Sequence, residues 1–356
     1  MTGFFTKDKT WLSKWDDFLH TENRGSHLLY SDWLQSYKSY GFDFEVFIVI
    51  ENELIIGGFG AVIAKSLIFK FYIVPVGPIF SEGFESRLSF AIDEIESRAK
   101  KMSCCYLQFR LPIAENLKIQ NKLYLPNITS FDKSKYRPGN FFKYVYCPNG
   151  LNWVGFENCN SSDDLLIKFN VQVRRNINLS LKTPTEISYA VTFDECRKAY
   201  AMIELNAKQN NYDVRSFADF SGTICNLIDK KLAFFMVAKL NNQIKGVAFV
   251  VNCGNHLTYI SGGTSKEKPD LKIGYLLHWE IIKKSFEMGF SGYNISLGGS
   301  NGVVDFKSKF NTETILYADE TRFLILKSNY FKLYLLLNSF FNKNKKVISG
   351  ILKMIK

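Results

Sequence analysis

The sequence predicts an α/β (α+β) protein built from two similar domains, each a mixed sheet flanked by helices. Strand-like runs, then a helix-like run, then another strand occur once in the first half of the chain and again in the second. The 356 residues are 46% hydrophobic, enough for a core in each of two ordinary domains. A turn signal at Cys147-Pro148-Asn149-Gly150 separates the halves. We therefore expect domains at 1–150 and 151–328, and a tail of different character at 329–356.

In the first half, three strand-like runs separated by short polar turns precede an amphipathic helix. The helix is predicted because Leu88, Ile92, Ile95 and Ala99 recur at helical spacing. Strands followed by a helix and a further strand form a small α/β layer. The predicted elements are strands at 46–50, 54–63 and 67–74, a helix at 86–102 and a strand at 105–110.

The second half repeats this order after two helices. The predicted elements are helices at 162–182 and 193–211, strands at 232–240, 244–251 and 256–261, a helix at 273–288 and a strand at 293–297. A Gly-rich run then leads into residues 304–311, where we expect a loop and turn beside the sheet. Gly298 and Gly299 allow positive φ and a close approach of backbone to ligand, so this place suits an anion. A glycine hairpin with a solvated basic rim is an equally good interpretation.

The charge balance favours anionic partners. The chain carries 45 Lys and Arg residues against 34 Asp and Glu residues, a net charge of +11. RNA, nucleotide diphosphates and acidic lipid headgroups all complement that charge. The sequence has no helix-turn-helix, zinc or RNA-motif pattern and its basic residues are spread out, which argues against DNA as a partner.

The cysteines and the N-terminus predict a cytoplasmic protein. Seven cysteines are scattered without a CxxC pair or a companion histidine cluster, a pattern typical of a reducing compartment and unlike a zinc site. We therefore expect no metal. Residues 1–17 mix polar, charged and aromatic side chains, so no secretory signal is expected. No stretch approaches the roughly 20 apolar residues that span a bilayer.

Three segments, taken in order, resemble one protein family. They are the strand–strand–helix order from Ile244 to Phe310 with its closing Val304-Asp305-Phe306-Lys307, the basic segment from Phe169 to Ile177, and the weaker match Tyr30-Ser31-Asp32-Trp33-Leu34. This order is similar to that of the Fem family, the aminoacyltransferases that build peptidoglycan cross-bridges. The resemblance spans most of residues 25–315 and implies two tandem GNAT (N-acetyltransferase) folds. The chain departs from the family pattern at Asn311, where the family usually has Gly.

The resemblance also implies roles for individual residues. Phe306 and Lys307 would meet the aminoacyl end of the donor, with the Lys307 ammonium near the developing oxyanion. Asp305 is a candidate general base, or it orients Lys307. Arg174 would clamp an acceptor phosphate, because a guanidinium binds one bidentately. Arg174 and Arg175 also suit an ordinary basic helix face.

Further candidates for substrate binding border the expected cleft. They are Trp33 near the N-terminus, Tyr212 and Arg215 in a polar loop after a helix, and Gly298 and Gly299 in the Gly-rich run. His278 falls on an apolar helix pattern. We predict that it is a packed or hydrogen-bonding residue and not a catalyst.

Three functions of different kinds agree with the sequence. The first is a Fem-like transferase that joins an aminoacyl or acyl group to an amine of a cell-envelope precursor, either a peptidoglycan peptide or an amino sugar, with tRNA as the carrier of an aminoacyl donor. The second is a GNAT-type N-acyltransferase of surface polysaccharide biosynthesis that uses acyl-CoA. The third is a non-catalytic, basic, membrane-associated binding protein.

The donor and acceptor classes follow from these functions. Aminoacyl-tRNA or acyl-CoA would be a cosubstrate, no cofactor is expected to be tightly bound, and the acceptor is a nucleotide- or lipid-linked precursor. The GNAT pyrophosphate loop normally has two small residues before a helix, whose N-terminal amides hold phosphate. Residues 271–276 offer one Gly, Gly274, and a bulky Leu276. This weakens the acyl-CoA hypothesis.

The tail at 329–356 combines apolar and basic residues. It is too short and too basic to span a bilayer. It suits an anionic membrane face with its lysines at the headgroups, which would place the protein on the inner face of the plasma membrane. A terminal helix packed on the core with a solvated basic end is an equally good interpretation.

Overall fold

The computed structural model describes residues 1–66, 68–114, 133–318 and 320–343, with side chains as far as residue 339. Within these residues two mixed sheets are flanked by helices, which confirms the predicted fold class. Leu67 of the third predicted strand and the lysines at 345, 346, 353 and 356 lie outside the described residues.

The first sheet is formed mainly by the N-terminal half of the chain. Its strands are β1 (Thr2–Thr6), β2 (Asp43–Glu51), β3 (Leu54–Ser66), β4 (Phe69–Val74), β5 (Ile79–Phe80), β6 (Tyr106–Phe109), β7 (Arg137–Pro138) and, from much later in the chain, β15 (Arg322–Ile325). They lie in the order β1-β2-β3-β4-β6-β15-β7, with β5 paired to β3. The β4–β6 pair is parallel. Its two strands are joined by a helix, as a parallel crossover requires.

The second sheet repeats this arrangement. Its strands are β8 (Gly150–Gly155), β9 (Glu186–Ala190), β10 (Ala233–Leu240), β11 (Gln243–Cys253), β12 (His256–Thr264), β13 (Gly292–Asn294) and β14 (Glu313–Leu316), in the order β14-β8-β13-β12-β11-β10-β9. Again one pair, β12–β13, is parallel and is joined by a helix. The same element order therefore occurs in both halves.

The helices cover both faces of the sheets. They are α1 (Lys9–Thr21), α2 (Ser31–Gln35), α3 (Leu88–Lys101), α4 (Ser162–Lys168), α5 (Val171–Leu181), α6 (Phe193–Gln209), α7 (Phe217–Asp229), α8 (Ile273–Glu287), α9 (Asn301–Ser308) and α10 (Ser328–Lys343). Helix α3 covers the outer face of the first sheet, and α5 and α8 cover that of the second. In the described part of the chain, none of the helices has the length and apolar character needed to cross a bilayer.

A central core joins the two halves. It brings Trp15 and Leu34 of the first half together with Phe220 and Phe249 of the second. Since these side chains are almost fully buried and protein interiors pack densely, the halves cannot shift freely against each other. The core therefore sets the shape of the space between them.

A buried polar cluster also joins the halves. Lys230 Nζ lies 2.5 Å from Asp32 Oδ2 and 3.1 Å from Asp16 Oδ2. The Tyr30 hydroxyl donates a hydrogen bond of 2.7 Å to the carbonyl of Asn252. Burial raises the pKa of Asp16, so the nearby Lys230 ammonium compensates a carboxylate that water does not reach.

The chain returns to the first sheet after β14. Strand β15 pairs with β6 and β7, and α10 packs on that sheet through Phe331, stacked on Tyr106 at 5.1 Å, and Tyr334, 4.7 Å from Phe71. The expected domain limits at 150 and 328 stay a prediction. The strand order shows in addition that residues 322–343 lie beside the first half of the chain.

The structure corrects the predicted loop and turn. Residues 304–308 belong to α9, and Ser300 precedes that helix in an extended conformation. The strand predicted at 293–297 is limited to β13. It ends early because Ser296 has a φ of 64°, which takes the backbone out of the extended region.

The helical stretch predicted at 162–182 consists of two helices in the structure. Phe169 is extended and ends α4. The side chain of Asn170 then accepts a hydrogen bond from the Gln172 amide and begins α5. An Asn with this role is a typical N-cap.

Candidate active site

The parallel strands β12 and β13 separate after a short stretch. They pair only at Leu257–Tyr293 and Thr258–Asn294, while β12 continues to Thr264. The separation leaves a cavity of about 230 Å³, which we call the sheet cavity. Its lining includes Asn206, Tyr259, Gly262, Gly263, Gly274, His278, Phe306 and Lys307.

The ammonium of Lys307, on α9, has three hydrogen-bond acceptors. It donates to the Ser296 carbonyl at 3.0 Å, to the Ser296 hydroxyl at 2.9 Å and to the Gly298 carbonyl at 2.7 Å. It also lies 5.4 Å from the centre of the Tyr259 ring. Since an ammonium has three donors, this set of acceptors satisfies it completely.

Burial lowers the pKa of Lys307 to about 8. The residue is 2% exposed, and within the described chain its ammonium forms no ion pair with a carboxylate that would hold the proton. A lysine with such a pKa carries its charge at neutral pH and gives up its proton more readily than a surface lysine. Perturbed titratable groups of this kind are concentrated in functional sites.

The neighbours of Lys307 on α9 differ in character. Phe306 lies 4.8 Å from the Tyr275 ring and 5.5 Å from the His278 ring, and it lines the sheet cavity. Asp305 is exposed and forms an ion pair of 2.6 Å with Lys309. The structure thus places Phe306 beside Lys307 in the cavity, whereas Asp305 contacts a different lysine.

His278 is a packed residue, as predicted. Its Nδ1 lies 3.0 Å from the hydroxyl oxygen of Tyr293. Burial lowers the pKa of His278 to about 3, so the imidazole is neutral at physiological pH.

A larger cavity of about 420 Å³ lies between the two halves, and we call it the interdomain cavity. The first half contributes Arg24, His27, Trp33 and Tyr37, and the second half contributes Tyr200, Arg215, Phe220, His256, Thr258, Tyr259, Ser296 and Gly298, among others. Among the residues that the structure describes, its lining contains many aromatic rings and no Asp or Glu. Such a site favours a ligand with an apolar or sugar-like body and a negative charge.

Arg215 is a cation of this cavity whose guanidinium is held in place by aromatic rings. Its guanidinium lies 4.6 Å from the ring centre of Tyr37, 5.1 Å from that of Tyr40 and 5.0 Å from that of Phe220. It donates a hydrogen bond to the hydroxyl of Ser36. The aromatic rings hold the guanidinium plane, so its other N–H groups are preorganised for an anion.

Trp33 forms the wall of the interdomain cavity beside Arg215. Its ring meets that of Phe220 edge to face at 5.3 Å and that of His27 at 4.7 Å. The contact with Phe220 crosses between the halves. Trp33 therefore lines the cavity and also packs the interface.

The two cavities meet at Lys307. Tyr259 lines both of them, and Ser296 and Gly298, which accept the Lys307 hydrogen bonds, line the interdomain cavity. A substrate in one cavity and a second substrate in the other would thus approach each other beside the Lys307 ammonium.

A third cavity of about 170 Å³ lies at the N-terminus of α8, beside residues 271–275. Glu267 and Asp270 line it. Asp270 accepts hydrogen bonds from the Lys272 amide and ammonium at 2.9 and 2.7 Å, and this contact lowers its pKa. These two acidic side chains make the place less favourable for phosphate, although each is paired with a lysine.

The remaining predicted residues form no described contact with the Lys307 side chain. Arg174 and Arg175 are on α5, and they line none of the three cavities described. Tyr212 accepts a hydrogen bond of 2.8 Å from Asn206, which lines the sheet cavity. Gly299 has a φ of 141°, a conformation that favours glycine, and it follows the Gly298 carbonyl that Lys307 binds.

The sequence analysis missed several cavity residues. Tyr259 and Ser296 complete the surroundings of Lys307, and His27 and His256 line the interdomain cavity. Only Tyr259 had a usable signal, because it precedes Gly262 and Gly263 at the end of a strand. The other three lie in segments without a motif.

The described geometry agrees with comparisons to known proteins. The profile of the acetyltransferase (GNAT) domain family matches residues 168–308, which include every residue that lines the sheet cavity. No curated protein matches the sequence. A crystal structure of FemX aligns with a TM-score of 0.75 over 94% of this chain and 99% of FemX, at 13% sequence identity. The chain has the Fem-family fold.

Other structures with the general arrangement of the Fem fold are less similar. L-PGS from Bacillus licheniformis aligns with a TM-score of 0.52 at 11% identity, over 94% of this chain and 97% of its own. A conserved protein of unknown function from Bacteroides thetaiotaomicron aligns with a TM-score of 0.52 at 13% identity, over 89% and 95%. At such identities the comparisons establish the shared fold alone.

Proposed function

We propose that this protein is an acyltransferase that joins an aminoacyl or acyl group to an amine of a cell-envelope precursor. One observation carries the proposal: the buried Lys307 ammonium lies where the sheet cavity and the interdomain cavity meet. In the proposed arrangement the donor's acyl end enters the sheet cavity past Phe306, and the acceptor amine reaches it from the interdomain cavity. The Fem fold supports this assignment.

The proposed reaction needs a stabilised oxyanion. The acceptor amine attacks the donor carbonyl and forms a C–N bond, and the C–O bond of an ester or the C–S bond of a thioester then breaks. The leaving group takes up the proton that the amine loses. Negative charge develops on the carbonyl oxygen, and the Lys307 ammonium is the cation at hand. To bind the carbonyl oxygen, the Lys307 ammonium must give up one of its three hydrogen bonds. The bond to the Ser296 hydroxyl is the easiest to give up, because a hydroxyl rotates.

An aminoacyl-tRNA ester is the donor that we favour. Glu267 and Asp270 occupy the cavity where a GNAT enzyme holds the pyrophosphate of CoA, and the net charge of +11 suits a polyanion. Acyl-CoA is the alternative, and the match to an acetyltransferase domain supports it. Neither donor is a tightly bound cofactor in this proposal.

The acceptor is proposed to be a nucleotide- or lipid-linked precursor. The aromatic lining of the interdomain cavity suits a sugar or peptide body, and Arg215 suits a phosphate. Arg174 and Arg175, away from this cavity, stay candidates for contacts with a longer part of the substrate. A peptidoglycan peptide and an amino sugar of a surface polysaccharide both satisfy this description.

A cytoplasmic location is part of the proposal. Both donor classes are made in the cytosol, and all seven cysteines are unpaired thiols, as expected in a reducing compartment.

Transfer of radiolabel tests the proposal. Charged tRNAs are used in one reaction and acetyl-CoA in another, each with an extract of envelope precursors. We expect label transfer from tRNA that Lys307→Ala abolishes and Lys309→Ala, two residues away and exposed, preserves. Transfer from acetyl-CoA alone would favour the polysaccharide acyltransferase. The non-catalytic binding function predicts no transfer from either donor.

A further inference from the structure

Helix α10 has an apolar face that no other part of the described chain covers. Phe331 and Tyr334 are 3% and 7% exposed and pack on the first sheet. Leu333 and Leu336 are 44% and 69% exposed. At about 100° per residue, Leu333 lies roughly opposite Phe331 around the helix. The helix is therefore apolar on two sides, and only one of them is buried.

Neighbouring segments extend this apolar surface. Ile68, in the turn between β3 and β4, is 67% exposed, and Tyr144 is 66% exposed. Tyr144 packs at 5.5 Å on Phe142, which stacks on Phe71, the partner of Tyr334. Ile68 precedes Phe69 in the chain, and the Phe69 ring lies 6.4 Å from the Tyr330 ring. We call Ile68, Tyr144, Tyr330, Leu333 and Leu336 the apolar surface.

The segments that form the apolar surface carry only positive charge. The segments 65–72, 133–150 and 322–343 contain no Asp or Glu. They carry exposed lysines at Lys65, Lys143, Lys327 and Lys332. The rest of the chain, 344–356, adds four lysines and no acidic residue. In a protein with 34 Asp and Glu residues, such a segregation indicates an anionic partner.

We propose that the apolar surface binds an anionic lipid bilayer. Leucines at the centre, tyrosines beside them and lysines at the edge match the depth profile of a membrane interface. The lysines attract an anionic membrane electrostatically, and the leucines contribute by leaving water. A protein partner of ordinary composition carries charges of both signs. It would therefore not require that these segments of our protein contain no Asp or Glu.

The apolar surface also borders the interdomain cavity. Tyr146, two residues after Tyr144, lines that cavity. Phe142 lies 5.9 Å from Phe42, which lies 6.1 Å from Tyr40, the ring beside Arg215. If the proposed function holds, the head of a lipid-anchored acceptor reaches the interdomain cavity while its lipid anchor stays in the bilayer.

Vesicle sedimentation with the full-length protein tests membrane binding independently of transferase activity. The vesicles are phosphatidylcholine alone or phosphatidylcholine with phosphatidylglycerol. The double variant Leu333→Glu/Leu336→Glu changes exposed residues and leaves Phe331 and Tyr334 in the core, whereas deletion of 329–356 would remove both. The matched control is Leu54→Glu/Ile167→Glu, because these residues are 70% and 67% exposed and lie elsewhere.

We expect the wild type and the control to pellet with the anionic vesicles and to be released by salt. The Leu333→Glu/Leu336→Glu variant should bind at least about tenfold more weakly, and Lys143→Glu/Lys332→Glu should weaken binding to anionic vesicles only. Equal binding by the wild type and the leucine variant would overturn the proposal. The proposal would also be overturned if the wild type bound neither type of vesicle and dimerised through Leu333 and Leu336. Either result leaves the transfer assay unaffected.

Discussion

The ammonium of Lys307 donates a hydrogen bond of 2.7 Å to the carbonyl of Gly298. This bond joins α9 to the Gly-rich segment that lies beside the interdomain cavity. It holds a lysine without a carboxylate partner among the described residues at the junction of two cavities. Several predictions depend on this lysine.

The rate of transfer should fall as pH rises through about 8. The pKa of Lys307 is lowered to about 8, so the charge that stabilises the oxyanion is lost above that pH. The acceptor amine acts in the opposite direction, because it must be uncharged, and we expect a bell-shaped profile. The profile of kcat between pH 6 and 10 provides the measurement.

Lys307→Arg serves as the comparison, since a guanidinium keeps its charge in this range. Its profile should lack the descending limb near pH 8, even if its rate is lower. A wild-type rate that continues to rise between pH 8 and 9.5 would show that the charge of Lys307 is not required.

The stability of the fold should also depend on Lys307 and pH. The pKa is about 8 in the folded state against 10.5 for an unperturbed lysine. The unfolded chain therefore binds more protons between these values, and the stability contribution of Lys307 rises with pH there. Below pH 8 the cost of burying the charge is fully present, and above about 10.5 it is absent.

Urea unfolding of the wild type and Lys307→Met at pH 7 and pH 10 measures this effect. The free energy of unfolding of the wild type relative to the variant should increase with pH by up to roughly 3 kcal/mol. The other lysines cancel in this difference. Lys309→Met should show no comparable increase, and a flat difference for Lys307→Met would mean that its ammonium is well hydrated.

Lys230→Met should destabilise the contact between the halves. The Asp16 and Asp32 side chains are 3% and 10% exposed and both pair with Lys230. Removal of the cation leaves a buried carboxylate at Asp16 that only Ser31 still stabilises. We expect a loss of about 1–3 kcal/mol in urea unfolding. Lys198→Met, on the exposed side of α6, should cost much less, and equal losses would show that the cluster contributes no specific stability.

Arg215→Lys should impair acceptor binding more than catalysis. A lysine cannot stack between Tyr37 and Phe220 or bind a phosphate bidentately. We expect KM for the acceptor to rise about 10- to 100-fold, with kcat changed much less. Steady-state kinetics with Arg197→Lys, an exposed arginine paired with Asp194, provide the control. An unchanged KM would remove Arg215 from the acceptor site.

Local patterns made much of the fold predictable. The apolar spacing of α3 indicates its buried face, and the continuous apolar runs of β10 and β11 indicate buried strands. Each pattern is visible in a short window. Helix α9 was missed because Gly298, Gly299 and Gly302 indicate a loop locally. It forms because Phe306 and Lys307 gain buried contacts with α8 and the Gly-rich segment, and tertiary contacts outweigh helix propensity.

The candidate site was predictable only in part. The Phe306–Lys307 motif and the resemblance around it led to the prediction that Lys307 is a site residue. Asp305 was suggested as a general base or as the residue that orients Lys307. In the structure it pairs instead with Lys309, because residues four apart are neighbours on a helix. Tyr259 and Ser296 are 48 and 11 residues from Lys307 in the sequence, so no local pattern links them to it.

From the sequence alone follow the tandem α/β architecture, the excess of positive charge and the hypothesis that the Phe306–Lys307 pair is functional. Which side chains surround Lys307, what lowers its pKa and which face of α10 is buried depend on the tertiary structure. The reason is physical: periodicity and composition are short-range properties of the chain. Desolvation and the meeting of two cavities arise only when distant segments pack together.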